Sequence, residues 1–570
     1  MQEWVYLTAM RVTIPWVRVA CLTGLLGHPP ALRAQWQSSG GPASAALGAV
    51  IGSDVERYVH ALTLAGIISP LPWTTRSFGA DDLQQFLRDS SVRAHPWRTR
   101  MLTALTPRAR AVGSVFLSAN SAFPWGANDG AMWQGRGVTA AVGAAVTFRW
   151  GPLTAVAAPV AFSAQNTAFL LVPVAGNSPF RSGVFPTAVD QPQRMGDQHY
   201  TRVSPGESSV RIRAGSAVIG ISTGSLGWGT GETFPSIFGA NAGGFSHLFV
   251  GTAGRGLRIP GIARISARYV LGVLEQTPWS PVQGSDTYVN DIEVGRRRVG
   301  SGLTVSITPA IFPTLEVGAS RFYHTPFTAE SSRWSSWTKP IEGVFKTSRP
   351  DVGSAGDQGS LIDNQLAAFF ARWSFPKRGV EASFEMFRDD HNFDRRDFFQ
   401  EPENNGASLA SLRAIVGRSE RRLGIVTLEY YNGDVSPIAQ VRSQGSLYAH
   451  QPMAQGHTER GQLLGSPIGV GAISGTRVAY ERFTPTGAIR GSLQRWRPRS
   501  LRSQDPEQLY RSSNYIFPRT HDWVLDAGLG ATQLRAHQSL AVDAGVAWAG
   551  VWAFGEARTN WYARFGWNAF

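Results

Sequence analysis

Four acidic side chains in one short segment are the first candidates for catalytic chemistry. Glu381, Glu385, Asp389 and Asp390 lie close together in the sequence. A glycosidase holds two carboxyl groups about 5 to 9 Å apart across its substrate. On one face of a β-strand, residues i and i+4 lie roughly 13 Å apart, so Glu381 and Glu385 do not form such a pair by themselves. The segment instead favours structural acids that neutralise nearby arginines.

The glycine-rich stretch GWGTGETF, residues 227–234, is a candidate for phosphate binding. A phosphate-binding loop of that kind needs a following helix and a lysine, and the sequence continues with neither. We interpret the stretch as a strand-to-loop turn that requires glycine, with Trp228 as a candidate sugar contact. His391, His450 and His457 lack the spacing of a metal site. The sequence therefore indicates no catalytic residue, no metal and no cofactor.

Basic and aromatic side chains recur together in the polar segments between the apolar ones. The candidates for ligand binding are Arg296, Arg297, Arg298, Arg333, Trp334, Trp337, Lys339, Arg395 and Arg396. Aromatic faces stack on sugar rings, and guanidinium groups bind uronate carboxylates with two hydrogen bonds. An equally open alternative places the tryptophans in a membrane interface belt and the arginines on lipopolysaccharide phosphates.

The charge of the chain restricts its partners. Lysines and arginines number 54 against 40 acids, a formal net charge of +14, and only Lys339, Lys346 and Lys377 are lysines. A basic chain binds nucleic acid, anionic lipid or an acidic polymer. No nucleic-acid recognition motif accompanies the charge, which leaves lipid headgroups and acidic polysaccharide.

The first 34 residues resemble a secretory signal peptide. Arg11 and Arg18 precede the apolar run VACLTGLL, and we predict cleavage after Ala34. The apolar run is far too short to span a membrane. Met10 is an alternative start, and a lipidated Cys21 is the disfavoured alternative to cleavage. Since Cys21 is the only cysteine, the mature chain would contain no disulfide.

Residues 35–110 have helical periodicity. SDVERYVHALTLAG begins with Ser53 and has Glu56 three residues later, which is the pattern of a capping box. ADDLQQFLRD and HPWRTRMLTAL also place apolar residues at helical spacing. Three short amphipathic helices bury their apolar faces only against each other or a neighbour. We predict a small periplasmic helical domain over residues 35–110.

From residue 111 to residue 570 the period changes to two. In VTAAVGAAVTFRW, residues 138–150, one face is apolar and ends in aromatics, as in the girdle of a transmembrane β-barrel. The polar face of other strands carries arginine, and we predict a lumen charge network of Arg264, Arg268, Arg372, Glu381 and Glu385. A soluble β-sandwich also alternates, but it does not need several bilayer-length strands with arginine on one face. Short turns alternate with long loops, which favours an outer-membrane barrel.

Three segments carry a resemblance to a known family. GISTGSLGWGTGETFPSIFGANAGGFSHLFVG, residues 220–251, resembles the Trp-Gly-Pro-Gly and Asn-aromatic stretch of the Wzi capsule assembly family, with Thr230 in place of the proline. GVEASFEMFRDDH, residues 379–391, and LYAHQPMAQGHTERGQLLGSPIG, residues 447–469, are similar to two further elements of that family. The terminal Phe570 resembles the signal read by the outer-membrane assembly machinery.

The resemblance implies a mainly β fold, a transmembrane antiparallel β-barrel of about 18 strands with a periplasmic helical bundle. It also implies a non-enzymatic lectin of the bacterial outer membrane that anchors capsular polysaccharide or exopolysaccharide at the cell surface. We expect surface polysaccharide, lipopolysaccharide and the assembly machinery as partners, no nucleic acid, and a monomer. The alternatives are a porin or carbohydrate-transport channel, and an outer-membrane enzyme that acts on lipid or glycan.

Overall fold

The structure is a computed structural model of the whole chain. It describes residues 41–76, 78–89, 94–171, 174, 178–183, 185, 187–282, 288–289, 292–293, 296–327, 337–342, 363–389, 406–434, 446–450, 453–471, 473–497, 523–549 and 557–570. The predicted signal peptide lies outside these residues.

Eighteen antiparallel strands close into a β-barrel. In chain order the first nine are β1 Ala109–Asn120, β2 Gly137–Trp150, β3 Leu153–Ala157 with Val160–Ala164, β4 Tyr200–Ser204 with Ser209–Ala214, β5 Ala217–Ser222, β6 Ser246–Thr252 with Leu257–Ile259, β7 Ala263–Leu274, β8 Arg298–Pro309 and β9 Leu315–Pro326. The other nine are β10 Asn364–Phe375, β11 Val380–Asp389, β12 Gly406–Ser419, β13 Arg422–Gly433, β14 Ile473–Thr484, β15 Gly487–Arg497, β16 Val524–Leu534, β17 Gln538–Ala549 and β18 Arg558–Ala569.

Pairing of the last strand with the first closes the wall. Val115 of β1 lies opposite Trp567 of β18 on one side and opposite Val142 of β2 on the other. Every wall strand therefore has two neighbours, and the barrel has no open edge. A closed sheet satisfies its backbone hydrogen bonds internally, which is the condition for crossing lipid. The predicted fold class and the outer-membrane location are confirmed.

The predicted alternation sets which side of the wall each residue faces. In β2 the apolar phase is exposed, with Val142 at 57% and Trp150 at 69% of their surface accessible. The other phase, which includes Thr139, Ala141 and Thr147, is buried. Exposed apolar side chains on a closed barrel form the surface that faces lipid. The buried phase faces the lumen.

The two ends of the barrel differ in the length of their connections. Residues 151–152, 215–216, 420–421 and 485–486 join consecutive strands at one end, whereas residues 165–199 and 223–245 are typical of the other end. Short turns face the periplasm and long loops face the outside in outer-membrane barrels. The chain that precedes β1 therefore joins the barrel at the periplasmic end.

A 3-10 helix and three α-helices precede β1. They are Gly41–Leu47, α1 Asp54–Leu64, α2 Ala80–Arg88 and α3 Arg98–Leu105. The backbone N–H of Glu56 donates to Ser53 Oγ at 3.2 Å, and Gly52 N–H donates to Glu56 Oε2 at 2.5 Å, which satisfies free donors at the start of α1. Among the described residues, none of the helices is long and apolar enough to cross a membrane.

The helices share one apolar core with the inner wall of the barrel. Buried residues of α1, including Tyr58 and Leu62, belong to the same cluster as Leu423 of β13 and Phe483 of β14. The ring centroids of Tyr58 and Phe483 lie 4.8 Å apart. The amphipathic faces of the helices are thus buried against lumen-facing side chains, so the helices fill the barrel from its short-turn end.

We predict that an arginine at the middle of the lipid-facing surface weakens the barrel. Val142→Arg should lower the free energy of unfolding by about 2 to 4 kcal/mol, because the charge would sit near the centre of the bilayer. Gln533→Arg is the matched control, since Gln533 is exposed close to a periplasmic turn where the same charge changes it by about 0 to 1 kcal/mol. Urea titration in lipid vesicles, read by heat-modifiable gel mobility, measures both. Equal loss in the two variants would contradict a lipid-facing Val142.

Candidate functional site

Glu381 of β11 is the centre of a buried charge network in the lumen. Its carboxylate lies 2.7 Å from Nη2 of Arg372, 3.2 Å from Nη1 of Arg413 and 3.0 Å from Nε2 of His60. Arg372 and Arg413 come from the neighbouring strands β10 and β12, whereas His60 comes from α1. A buried carboxylate is stable only when charged and hydrogen-bonding partners replace water. Glu381 therefore fixes helix α1 inside the wall.

Glu316 of β9 holds the chain between α1 and α2. The backbone N–H of Trp73 donates to Glu316 Oε2 at 3.0 Å, and that of Thr74 donates to Oε1 at 3.2 Å. Arg372 Nη1 donates to the same carboxylate at 3.3 Å. One guanidinium thus bridges Glu316 and Glu381. Glu316 is not among the predicted site residues, although an acid on the polar phase of a strand is a signal that the sequence carries.

Burial lowers the pKa of His60 to about 4. Desolvation is the largest cause, and it outweighs the attraction of Glu381 for a charged imidazole. His60 is therefore neutral near neutral pH, and its Nε2–H donates to Glu381. Trp73 stacks on the imidazole, with ring centroids 4.1 Å apart. His60 is not among the predicted site residues, because a single histidine on an apolar helix face gives no signal of a partner in a distant strand.

A second ion cluster fixes the start of α1. Asp54 lies 2.7 Å from Arg57 Nη2 and 3.0 Å from Arg490 Nη1, while Arg57 Nε lies 2.9 Å from Glu481. Arg57, Glu481 and Arg490 line a small cavity of about 90 Å³ between the helices and the inner loops, which has room for a few water molecules.

Two wall carboxylates hold the glycine-rich turn at residues 227–234. Thr230 N–H donates to Glu385 Oε2 at 2.7 Å, and the N–H groups of Glu232 and Thr233 donate to Glu429 at 2.7 and 2.8 Å. Gly229 has a φ of +82°, and a Cβ there would clash with Glu385 Oε2. The close approach of backbone to carboxylate thus requires glycine. Glu385 binds this turn, which differs from its predicted role of neutralising an arginine.

Trp228 packs inside the barrel, which differs from its predicted role as a surface sugar contact. Its side chain is only 2% exposed and meets Phe238 edge to face, with centroids 4.9 Å apart. A Cβ on Gly302 of β8 would lie 2.6 Å from the indole. The physical reason is that the hydrogen bonds of Glu385 and Glu429 hold the turn inside the lumen, which places the indole against the wall.

Arg298 is also buried, in contrast to its predicted place in an exposed arginine cluster. Its Nη1 donates to Gly456 O and its Nη2 to Thr458 O, both at 2.7 Å. Arg298 begins β8 on the lumen side, so its guanidinium reaches across to residues 446–471 rather than outward. Arg298 is therefore not an exposed ligand-binding residue.

The segment 446–471 packs on the turn segment 223–245. Tyr448 OH donates to Ser236 O at 2.7 Å, and His457 Nε2 lies 2.7 Å from Ile237 O. Asn241 Nδ2 donates to Leu463 O at 2.8 Å. Desolvation lowers the pKa of His457 to about 3, so Nε2 carries the proton that it donates. We call residues 223–245, 446–450 and 453–471 together the inner plug.

The other predicted lumen arginines have partners that are not acids. Arg264 Nη1 donates to Pro70 O at 3.1 Å. The guanidinium of Arg268 lies over the Phe249 ring, 4.4 Å from its centroid, a cation–π contact. Of the predicted network, the structure therefore brings Arg372 and Glu381 together and gives the remaining three residues other contacts.

Four predicted ligand-binding residues lie at the surface of the long-loop end. Arg296 and Arg297 are exposed just before β8, and Trp337 is 39% exposed. The Trp337 carbonyl accepts a hydrogen bond from Tyr269 OH at 2.8 Å, and Lys339 Nζ lies 5.2 Å from the centre of the Tyr323 ring. The other candidates, Arg333, Trp334, Arg395 and Arg396, lie outside the described residues. In the described parts of the chain, no group of His, Cys, Asp and Glu side chains is arranged to hold a metal ion.

No protein-family model and no curated protein matches this sequence. Among solved structures, Wzi of Escherichia coli, an outer membrane protein involved in group 1 capsule assembly and a carbohydrate-binding β-barrel, aligns with a TM-score of 0.58. The alignment covers 91% of this chain and 98% of that chain at 12% sequence identity. The chain has a Wzi-like fold.

Two Pseudomonas aeruginosa structures are similar to a smaller extent. OccD3 aligns with a TM-score of 0.36 at 10% identity over 80% of this chain and 90% of that chain. The outer membrane protein OprD aligns with a TM-score of 0.34 at 9% identity over 80% and 93%. The predicted resemblance to Wzi is confirmed as a likeness of fold.

We predict that removal of Arg298 loosens the inner plug without unfolding the barrel. Arg298→Ala leaves the carbonyls of Gly456 and Thr458 without their charged donor, which removes about 1.5 to 3 kcal/mol per hydrogen bond. Amide hydrogen exchange across residues 453–464 should accelerate at least tenfold. Arg297→Ala, a change at the adjacent exposed residue, is the control and should leave exchange unchanged. Equal protection in both variants would show that Arg298 does not hold the plug.

We also predict that acid loosens α1 through His60. A pKa lowered from 6.5 to about 4 in the folded state means that the neutral form is favoured there, so stability is present above pH 6.5 and declines as pH falls toward 4. Burial raises the pKa of Asp54 and Glu56, which acts in the opposite direction. The measurement is therefore the difference between wild type and His60→Gln.

Hydrogen exchange of residues 54–64 at pH 7 and pH 4.5 reads out this difference. The wild type should lose more protection on acidification than His60→Gln, because glutamine keeps a donor for Glu381 and does not titrate. The same loss of protection in both proteins would rule out His60 as the titrating group.

Proposed function

We propose that this outer-membrane barrel binds acidic polysaccharide at the cell surface and catalyses no reaction. The observation that carries the proposal is the filled lumen. Helix α1 is fixed to Glu381 from the periplasmic end, and the inner plug is fixed to Glu385, Glu429 and Arg298 from the outer end. A barrel whose lumen is filled from both ends is suited to holding a ligand at its extracellular end.

The positions of the acids argue against the enzyme alternative. Glu381 is shared by two arginines and a histidine, and Glu385 accepts hydrogen bonds from Thr230. Both side chains are at most 1% exposed. A glycosidase needs two carboxyl groups that reach a substrate from opposite sides, and these acids are occupied by protein groups.

The exposed cations favour an acidic glycan. Arg296 and Arg297 lie free of the lumen at the long-loop end, and a guanidinium group binds a uronate carboxylate through two parallel hydrogen bonds. Trp337 offers a ring face for stacking on a sugar. The likeness to Wzi, whose structure is that of a carbohydrate-binding barrel, supports the same proposal. A monomer that contacts lipopolysaccharide and depends on the outer-membrane assembly machinery completes it.

Binding of an immobilised uronate polymer, such as alginate, to the purified barrel tests this function. Replacement of Arg296 and Arg297 by glutamine removes the two guanidinium groups that would pair with uronate carboxylates. Alginate binding should weaken at least tenfold, since a loss of about 1.4 kcal/mol of binding free energy corresponds to a factor of ten in Kd. The matched control replaces Arg421 and Arg422, two exposed arginines at a periplasmic turn, and should bind as the wild type does.

Neutral dextran is the second control, and we expect it to bind at least tenfold more weakly than alginate. Equal loss in the two double variants would indicate non-specific charge attraction and contradict the proposed site. Steady conductance of the wild type in a planar bilayer would favour the channel alternative.

A further inference from the structure

An apolar groove crosses the outer wall of the barrel near the long-loop end. Its lining includes Val210, Ile221, Leu248, Leu271, Phe327 and Trp337, and its volume is about 590 Å³. The first four belong to the outward phase of strands β4 to β7. The groove is therefore on the lipid side of the wall and separate from the lumen.

The short strand β5 creates the floor of this groove. It contains six residues and ends at Ser222, after which the chain turns into the lumen as part of the inner plug. Ser222 lies opposite Ser209 of β4, whereas β4 continues beyond this point through Tyr200–Ser204, which pair with β3. Because β5 ends before its neighbour does, the wall has a depression at this point. Outward side chains of the neighbouring strands border the depression.

Residues 337–342, which we call the strap, cover one side of the groove. Tyr269 OH, on the outward face of β7, donates to Trp337 O at 2.8 Å, and Arg321 Nη1 donates to Glu342 O at 2.6 Å. Thr338 Oγ1 donates to the Glu342 carboxylate at 2.6 Å. The strap is thus fixed against the outside of the wall by hydrogen bonds at both of its ends.

Cations lie at the upper edge of the groove. Phe327 N–H, in the groove lining, donates to Arg297 O at 2.7 Å, which places the exposed Arg296 and Arg297 beside it. Lys339 is in the strap, two residues from Trp337. An apolar depression with cations at its outer edge is complementary to a lipid with a negatively charged headgroup.

We propose that this groove binds one acyl chain of a phosphorylated outer-leaflet glycolipid, with Arg297 and Lys339 paired to its phosphates. The acyl chain fills the depression between the strap and the wall. Guanidinium and ammonium groups both bind phosphate oxygens, and several neighbouring cations favour a headgroup with more than one phosphate over a zwitterionic one. The groove shares Arg297 and Trp337 with the proposed polysaccharide site, but the binding of the acyl chain does not depend on the binding of polysaccharide.

Native mass spectrometry of the purified full-length barrel tests the groove. The barrel is exchanged into mild detergent and incubated with bisphosphorylated lipid A or with phosphatidylethanolamine. We expect one retained lipid A molecule and at least tenfold weaker retention of phosphatidylethanolamine. Equal retention of the two lipids would overturn the headgroup assignment and with it the proposal.

Leu248→Trp fills the groove and should lower lipid A retention at least tenfold. Leu493→Trp is the matched control, because Leu493 is also an exposed leucine of the outer wall, on β15, and it should retain lipid A as the wild type does. Ile221→Trp is a second groove variant, and heat-modifiable gel mobility confirms that each variant is folded. Unchanged retention in folded Leu248→Trp or Ile221→Trp would overturn the site.

Arg297→Gln separates phosphate pairing from apolar contact. The variant should retain bisphosphorylated lipid A only as well as it retains monophosphorylated lipid A. Its retention of monophosphorylated lipid A should equal that of the wild type. Unchanged lipid A retention in a folded groove variant overturns the groove whatever its alginate binding, whereas unchanged alginate binding by the Arg296 and Arg297 double variant overturns only the polysaccharide site.

Discussion

The structure depends on the desolvation of carboxylates inside the barrel. Glu316, Glu381, Glu385 and Glu429 project from separate wall strands into the lumen, and each is nearly fully buried or hydrogen-bonded within protein. A buried charge without partners costs several kcal/mol. Arginines of the wall supply part of the compensation, and backbone N–H groups of α1's neighbouring segment and the inner plug supply the rest. The wall and the chain that fills it therefore stabilise each other.

This constraint also explains why arginine is so strongly preferred over lysine in the lumen. Arg372 reaches both Glu316 and Glu381, and Arg413 reaches both Glu381 and Glu429. A planar guanidinium can donate to two acceptors in fixed directions, whereas an ammonium group acts as a compact point charge. Acids on alternate strands can thus be linked into a continuous network around the wall. Part of the net positive charge of the chain has a structural use, and only the exposed arginines remain available for ligands.

Local periodicity was sufficient to predict the wall but not what fills it. The alternation around Val142 and the capping box at Ser53 depend on neighbouring residues in sequence, and the structure has the predicted strand and helix there. Arg298 and Trp228 are candidate ligand contacts from the sequence, because they lie in a polar and a glycine-rich segment. Their burial follows from contacts with residues more than 70 positions away, Gly456 for Arg298 and Gly302 for Trp228. Period-two alternation gives the face of a strand, and carries no information about a loop that folds inward.

The positions of the family-like motifs limit what the resemblance can mean. Trp228, Glu385, Tyr448 and His457 carry it, and all four are buried in the lumen or the inner plug. Their contacts are with one another's segments and with the wall, as in the hydrogen bonds of Tyr448 and His457 to Ser236 and Ile237. The motifs therefore specify how the barrel is filled. Under the proposed function, recognition of a particular glycan would come from exposed loop residues, so two barrels could share these motifs and bind different polysaccharides.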